Sequence, residues 1–416
     1  LLYKLGKPID SNRLQSFLVR HAAQLKLIRK IALNDKLQHP ENPAATVNFH
    51  AIMEVMQVVE LLKREHHYHL KHGNIDEAID SINTFQKLNR KLTQIDGSAV
   101  CFLVICALNK EATELILKSL KHPSLSDSHL NSIRSNFIAP SEFDKLVATS
   151  LRYEFQFTRQ NIEILSAGGP KQEELFNQIF SFENDLSEIF ETTKSRSFEQ
   201  YIQSRLYKVT LSVGLQPNKT IKGFAQSYRA LIHDLSHASF DTKKMALSEP
   251  QTKDLSNLVG ELFLARGADP ISRVYYKNVS ENKINQVFLK TLLALRAYQL
   301  KNGDLPVRLD PLTPEYLANL PIDHYSGKPL LYSKERKLLW SIGYDLKDNK
   351  GASKESLEEA KIAARKKLQP KKKAKREVNK PDHTDAPYNK YRKSPDYIRH
   401  SQHLEDSDEP HIAIPF

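Results

Sequence analysis

In one segment after another of this chain, apolar residues recur three and four positions apart, and short turn-forming stretches separate the segments. That spacing is the repeat of one α-helix face, and it restricts the chain to folds built from helices laid side by side. The first stripe, over 12–38, runs through Leu14, Phe17, Leu18, Ala22, Leu25 and Ile28 and stops at His39-Pro40 and Asn42-Pro43. A second helix is predicted over 47–72, with Ile52, Val55, Met56, Val59 and Leu62 on one face. Gly73-Asn74 ends it, because glycine accepts the left-handed cap that other residues avoid. The return helix over 75–92 follows through Ala78, Ile79, Ile82 and Phe85. With Tyr68 before the turn and Ala78 after it, this pair is like a single tetratricopeptide-type hairpin. No second copy follows at a fixed period, so an irregular antiparallel array is expected in place of a repeat solenoid.

Further helices are predicted over 99–121, 141–166, 171–193, 198–213, 219–237 and 253–266. The separators are His122-Pro123, Gly168-Gly169-Pro170, Gln216-Pro217-Asn218 and Gly267-Ala268-Asp269-Pro270. Proline lacks the N–H and clashes with the preceding turn, so it marks helix ends. Short connections favour antiparallel neighbours. Only 13 glycines accompany 40% hydrophobic residues, a poor supply of the positive-φ positions that β-rich folds use at their turns.

The net charge of +12 is unevenly placed. Residues 361–380 hold a dense run of Lys and Arg with Glu377 as the lone acid, and the rest of the chain is near balance. The basic balance therefore describes a tail and not a binding face on the body. Cys101 and Cys106 lie on one predicted buried helix, where five residues turn the sulfurs apart by about 140°; no disulfide is expected between them. No run of about 18 apolar residues is present, so no spanning helix is expected. The chain begins at Leu1 without an initiator Met, which leaves room for an upstream signal or anchor and for export.

The carboxyl-terminal third changes character. Ile284, Val287, Phe288, Leu292, Leu295 and Tyr298 mark a helix face that ends at Asn302-Gly303. Leu305-Pro306, Pro314-Glu315-Tyr316-Leu317 and Leu320-Pro321-Ile322-Asp323 follow as punctuation. Residues 330–332 and 338–342 are short enough to pair as strands across a turn at 333–337, with the lone Trp340 in the second. After Gly351 the pattern over 355–367 fits a short helix. Residues 370–416 are polar, charged and proline-punctuated, with too little apolar area to offset ordering, and a disordered tail is expected there.

The stretch Leu320-Pro321-Ile322-Asp323-His324-Tyr325-Ser326-Gly327-Lys328-Pro329-Leu330-Leu331-Tyr332, with Ser341-Ile342-Gly343-Tyr344-Asp345 after it, resembles the carboxyl-terminal half of type II secretion major pseudopilins. It also resembles a wider, largely uncharacterised group of bacterial envelope proteins with a helical amino-terminal region and the same turn signature. His324 stands where that signature has proline. The resemblance is specific over 284–351 and looser over 45–351. It implies a long helix, a turn and a hairpin, in which Asp323, Tyr325, Gly327, Pro329, Tyr332 and Trp340 shape a structural or docking unit. It also implies calcium at the following loop, for which Asp345 and Asp348 are the candidate ligands because hard oxygen donors suit that ion. Leu346, in the place of a turn glycine, departs from the pattern.

Among the histidines, His66, His69 and His72 are candidate metal ligands, three residues apart near one helix end. No cysteine or carboxylate pattern accompanies them, and an exposed polar helix end is the plainer expectation. His233 and His237, four apart, lack the His-Glu-x-x-His form. A hydrolase built on these histidines would carry zinc. The nucleophile elbow, phosphate loop and dinucleotide fingerprint are all missing. The expected organisation is a helical scaffold over 1–267, a pseudopilin-like module over 268–352 and a basic then acidic tail over 353–416. The expected function is a non-enzymatic, periplasmic or envelope-associated scaffold without a cofactor, with pilin-like or secretion proteins as partners. The alternative is a cytoplasmic adaptor that meets nucleic acid or anionic lipid through Lys371-Lys372-Lys373-Ala374-Lys375-Arg376.

Overall fold

A computed structural model describes residues 11–34, 49–94, 97–172, 175, 214–236, 255–343, 346, 348–351 and 411–416. The protein is mainly helical, with irregular antiparallel helices, one long helix and a small sheet near the carboxyl end. The first stripe forms two helices, α1 (Ser11–Arg20) and α2 (Ala22–Leu33). They break at His21, whose N–H is shared between the Phe17 and Leu18 carbonyls while its Nδ1 holds the Phe17 carbonyl at 2.8 Å. Helices α3 (Phe49–Lys71) and α4 (Ile75–Leu92) form the expected hairpin. Gly73 ends α3 in the left-handed region, and Asn74 N–H closes the cap on His69 O at 2.9 Å. Helix α5 (Ala99–Ser119) carries both cysteines as free thiols.

Helix α6 (Asp127–Ser135) has no counterpart in the sequence prediction. Its start is held by His129, whose Nδ1 accepts from the Ser126 N–H at 3.1 Å while Nε2 lies 2.7 Å from Asp76 Oδ1 on α4. Nine residues are too few to be stable alone, and Leu130 and Ile133, both fully buried, hold the helix to the body. Helices α7 (Pro140–Ala167) and α8 (Pro217–Ser236) lie where periodicity places them. Nearly all of the predicted helix over 171–193, and the whole of those over 198–213 and 355–367, lie outside the described residues.

Helix α9 (Leu258–Asn302) corrects the expected break at 267–270, because it runs for 45 residues straight through Pro270. An interior proline costs about 3 kcal/mol. Packing on both sides of it outweighs that: Val259, Tyr275 and Val279 join one hydrophobic cluster, and Ile284, Phe288 and Leu292 join another. Two hydrophobic clusters result. One gathers α1–α6, the second half of α9 and the sheet around Leu62, Ile82, Phe85 and Leu292. The other gathers α7, α8 and the first halves of α5 and α9, where the Phe102 and Tyr275 rings stack at 4.5 Å and the Tyr275 hydroxyl bonds Ser150. Helices α5 and α9 thus feed both clusters.

The hairpin has the predicted strands, β1 (Leu331–Ser333) and β2 (Leu338–Trp340), antiparallel with Leu331 opposite Trp340 and Ser333 opposite Leu338. A third strand, β3 (His411–Ala413), pairs with β2 from the other side, with Trp340 opposite His411. This corrects the tail reading for the last six residues. Ile414 is buried, its N–H bonds Lys337 O at 2.7 Å, and the Arg296 guanidinium sits 5.0 Å from the Phe416 ring. Flanked on both edges, β2 buries all three of its side chains.

Candidate functional site

The turn that leads into β1 is organised by Asp323, which is 1% exposed. Its Oδ1 accepts from the Tyr325 N–H at 3.1 Å and the Ser341 hydroxyl at 2.6 Å; its Oδ2 accepts from the Ser326 hydroxyl at 2.8 Å and the Ile342 N–H at 3.3 Å. Its own N–H bonds Lys328 O at 2.7 Å, and its carbonyl receives the Gly327 N–H at 2.9 Å. One carboxylate thus ties the turn to the residues that leave β2. Four donors around a buried acid leave it few lone pairs for anything else. Gly327 sits at φ +67 on the exposed outside of the turn, a conformation that a side chain would strain. Pro329 is exposed and bridges to Ile322.

The aromatic residues of this unit face inward. Tyr325 is buried, and that burial, with Glu281 and Asp323 adding to it, raises its hydroxyl pKa well above the ordinary value. The Tyr332 hydroxyl donates to Pro306 O at 2.8 Å; burial, with Asp304 adding to it, pushes it up to about 12. Trp340 is buried, and its Nε1–H donates to Asp348 Oδ1 at 3.1 Å, with the Arg336 guanidinium 5.5 Å from its ring. Gly351 closes the loop over that ring at φ +67, where a Cβ would come within 2.6 Å of Leu338 Cδ2. These residues hold the unit together. The surface they leave outward is Gly327, Lys328, Pro329 and the edge of β1.

Of the two candidate calcium ligands, Asp345 lies outside the described residues. Asp348 Oδ1 takes the Trp340 indole N–H and the Lys350 N–H at 2.8 Å, so it serves as a loop anchor. Among the described residues no three His, Cys, Asp or Glu side chains converge as a metal would require. The basic stretch 371–376 and His237 also lie outside the described residues.

The candidate histidine ligands are not brought together. His66 is fully buried, with Nε2 2.8 Å from Ser119 Oγ on α5 and Nδ1 3.2 Å from His67 Nδ1. Burial foremost, then the charges of His67, Lys118 and His69, lowers its pKa to about 3, so the ring is neutral at ordinary pH. His69 is half-buried, with Nδ1 meeting no donor or acceptor from the protein. His72 is exposed, meets the Tyr68 ring at a tilt with centroids 4.2 Å apart, and holds the Tyr68 carbonyl through Nδ1 at 2.7 Å. The His66–Ser119 pair has the atoms of a base and a nucleophile, yet neither residue exposes any surface to a substrate.

A polar constellation absent from the sequence reading lies between α4, α5 and α9. The Asn89 amide donates to Asn109 Oδ1 at 2.6 Å, Asn109 to Asn282 Oδ1 at 2.9 Å, and Asn282 to the Asn278 carbonyl at 2.8 Å. Gln86 and Asn89 are buried, and their side-chain oxygens meet no donor from the protein. They line a cavity of about 40 Å³, shared with Asn136, Asn285 and Gln286, which suits one or two water molecules. Amides at these positions can bind donors but supply neither nucleophile nor base. One signal for them is local: Asn89 continues the inward stripe of Ile82 and Phe85, where an apolar residue belongs.

No family model, no curated protein and no solved structure matches this chain. No helix among the described residues is long and apolar enough to cross a membrane.

Proposed function

We propose that this protein is a non-enzymatic scaffold of the bacterial envelope, whose carboxyl-terminal helix-and-sheet unit is the rigid end that meets components of a secretion or pilus-like assembly. The reading rests on the resemblance of residues 284–351 to the pseudopilin unit. The observation that carries it is the long helix followed by the Asp323 turn and the β1–β2 hairpin, the element order that the resemblance implies. Further support comes from β1, an edge strand of the sheet, next to the exposed turn at Gly327–Pro329. Edge strands offer backbone donors and acceptors to an incoming strand. The same unit shares its hydrophobic cluster with α3–α5, so it caps the helical body while presenting that edge.

The test is site-specific photo-crosslinking from Lys328 and Ser333 in the native host, with Glu163 on α7 as the control position. Adducts with pilin-like or secretion proteins from the first two positions and not from the third are expected. A protein that crosslinks equally from all three positions, or from none, refutes the reading.

A further inference from the structure

Helices α1 and α2 are apolar on two sides. Leu14, Leu18, Leu25 and Ile28 face the core. Val19, Ala23, Leu27 and Ile31, each four residues after the last, form a second stripe that faces solvent. Val19 is 71% exposed, Leu27 57%, Ile31 40% and the neighbouring Leu33 69%. Four of the large apolar side chains that the described residues expose thus fall within fifteen positions of one another, and such clustering marks an interaction site where scattered exposure does not.

The charge on the same face is of one sign. Residues 11–34 contain no Asp or Glu, and Arg13, Arg20, Lys26 and Lys30 are all exposed. Lys26 and Lys30 stand one turn apart, directly beside the Leu27–Ile31 row. Arg29 is the exception that fixes the orientation. Its guanidinium turns inward to Glu65 at 2.9 Å and Asp80 at 2.7 Å, and Glu65 is held in turn by Ser81 at 2.9 Å. Glu65 and Asp80 are thereby engaged by Arg29, and among the described residues no acid pairs with Arg13, Arg20, Lys26 or Lys30.

We infer that the outward face of α1–α2 lies on an anionic lipid bilayer, with Leu27 and Ile31 entering the headgroup boundary and Lys26, Lys30 and Arg20 meeting lipid phosphates. A helix face that pairs an apolar row with cations and lacks acids has the composition of an interfacial helix. Each cation near such a surface adds to attraction that salt weakens. An acidic protein groove would match the charge as well, but exposed Lys26 and Lys30 beside the exposed Leu27–Ile31 row are the pattern of a helix lying in a lipid interface. This inference stands on residues 11–34 and does not depend on the reading of the carboxyl-terminal unit.

The experiment is co-sedimentation of the full chain with vesicles of phosphatidylcholine alone and with about a third phosphatidylglycerol, at low and at high salt. Two face variants are compared with the parent, one Leu27→Ser with Ile31→Ser and the other Lys26→Gln with Lys30→Gln. A tail variant carries Lys371→Gln, Lys372→Gln, Lys373→Gln, Lys375→Gln and Arg376→Gln. All the face positions are exposed, and unchanged melting temperatures verify that the variants fold. The parent is expected to bind the anionic vesicles at least tenfold better than the neutral ones, each face variant to lose at least tenfold, and the tail variant to keep most of the binding. Failure of the parent to bind, face variants equal to the parent, or binding that follows the tail and not the face would overturn the inference.

Discussion

Asp323 shows how much one buried acid can decide. It receives two side-chain hydroxyls and two backbone N–H groups from both sides of the hairpin. Asp323→Asn turns an amide N–H₂ toward one of these donor pairs, and at least one buried donor loses its acceptor. A loss of about 1–3 kcal/mol is expected, read from urea melts of parent and variant. Asp323 was legible because the turn signature includes it, whereas its partner Ser341 gains its role only through the fold. His66 makes a pH prediction. Its folded pKa lies near 3, below the ordinary 6.5 of the unfolded chain, so below pH 6.5 the unfolded state binds more protons. Stability therefore falls as pH drops from 6.5 towards 3, by about 1.4 kcal/mol per pH unit at most. The lowered pKa of His67 adds in the same direction. Denaturant melts at pH 7.5 and 5 should show the loss, and His66→Gln should flatten the slope between them. An unchanged slope would contradict the buried neutral ring.

At the scale of elements, most helices among the described residues that carry one clear apolar stripe were read to within a few residues, because their period depends on neighbours three and four positions away. The stripe over 12–38 forms two helices where one was expected, and three further elements were not legible. Helix α6 is short, and tertiary burial of Leu130 and Ile133 sustains it. Helix α9 crosses a Gly-Ala-Asp-Pro stop because residues on both sides of it are packed in hydrophobic clusters. Strand β3 looks like the end of a charged tail, and its partner β2 lies some seventy residues earlier. Removing residues 411–416 should uncover the β2 edge and the site filled by Ile414. A loss of about 2–5 kcal/mol is expected from that lost burial, together with self-association through the opened edge. Urea melts and size-exclusion profiles of the truncated chain check both effects; if neither changes, β3 contributes nothing to the fold.

Across the whole molecule, the hydrophobic pattern was sufficient to specify a helical array and a terminal hairpin, since each part of that statement is written within a few consecutive residues. Charge and apolar exposure on α1–α2 were also present in the sequence, but only packing reveals which of its two apolar sides is covered. The meeting of Asn89, Asn109 and Asn282 joins residues nearly two hundred positions apart, and each looks locally like an ordinary polar helix residue. The sequence alone therefore determined the kinds of elements and most of their limits, through interactions that span one or two helical turns. Tertiary structure alone decided that α9 stays unbroken, that residues 411–413 join the sheet, and which polar groups converge. Those outcomes depend on burial against distant segments, and no local period records that.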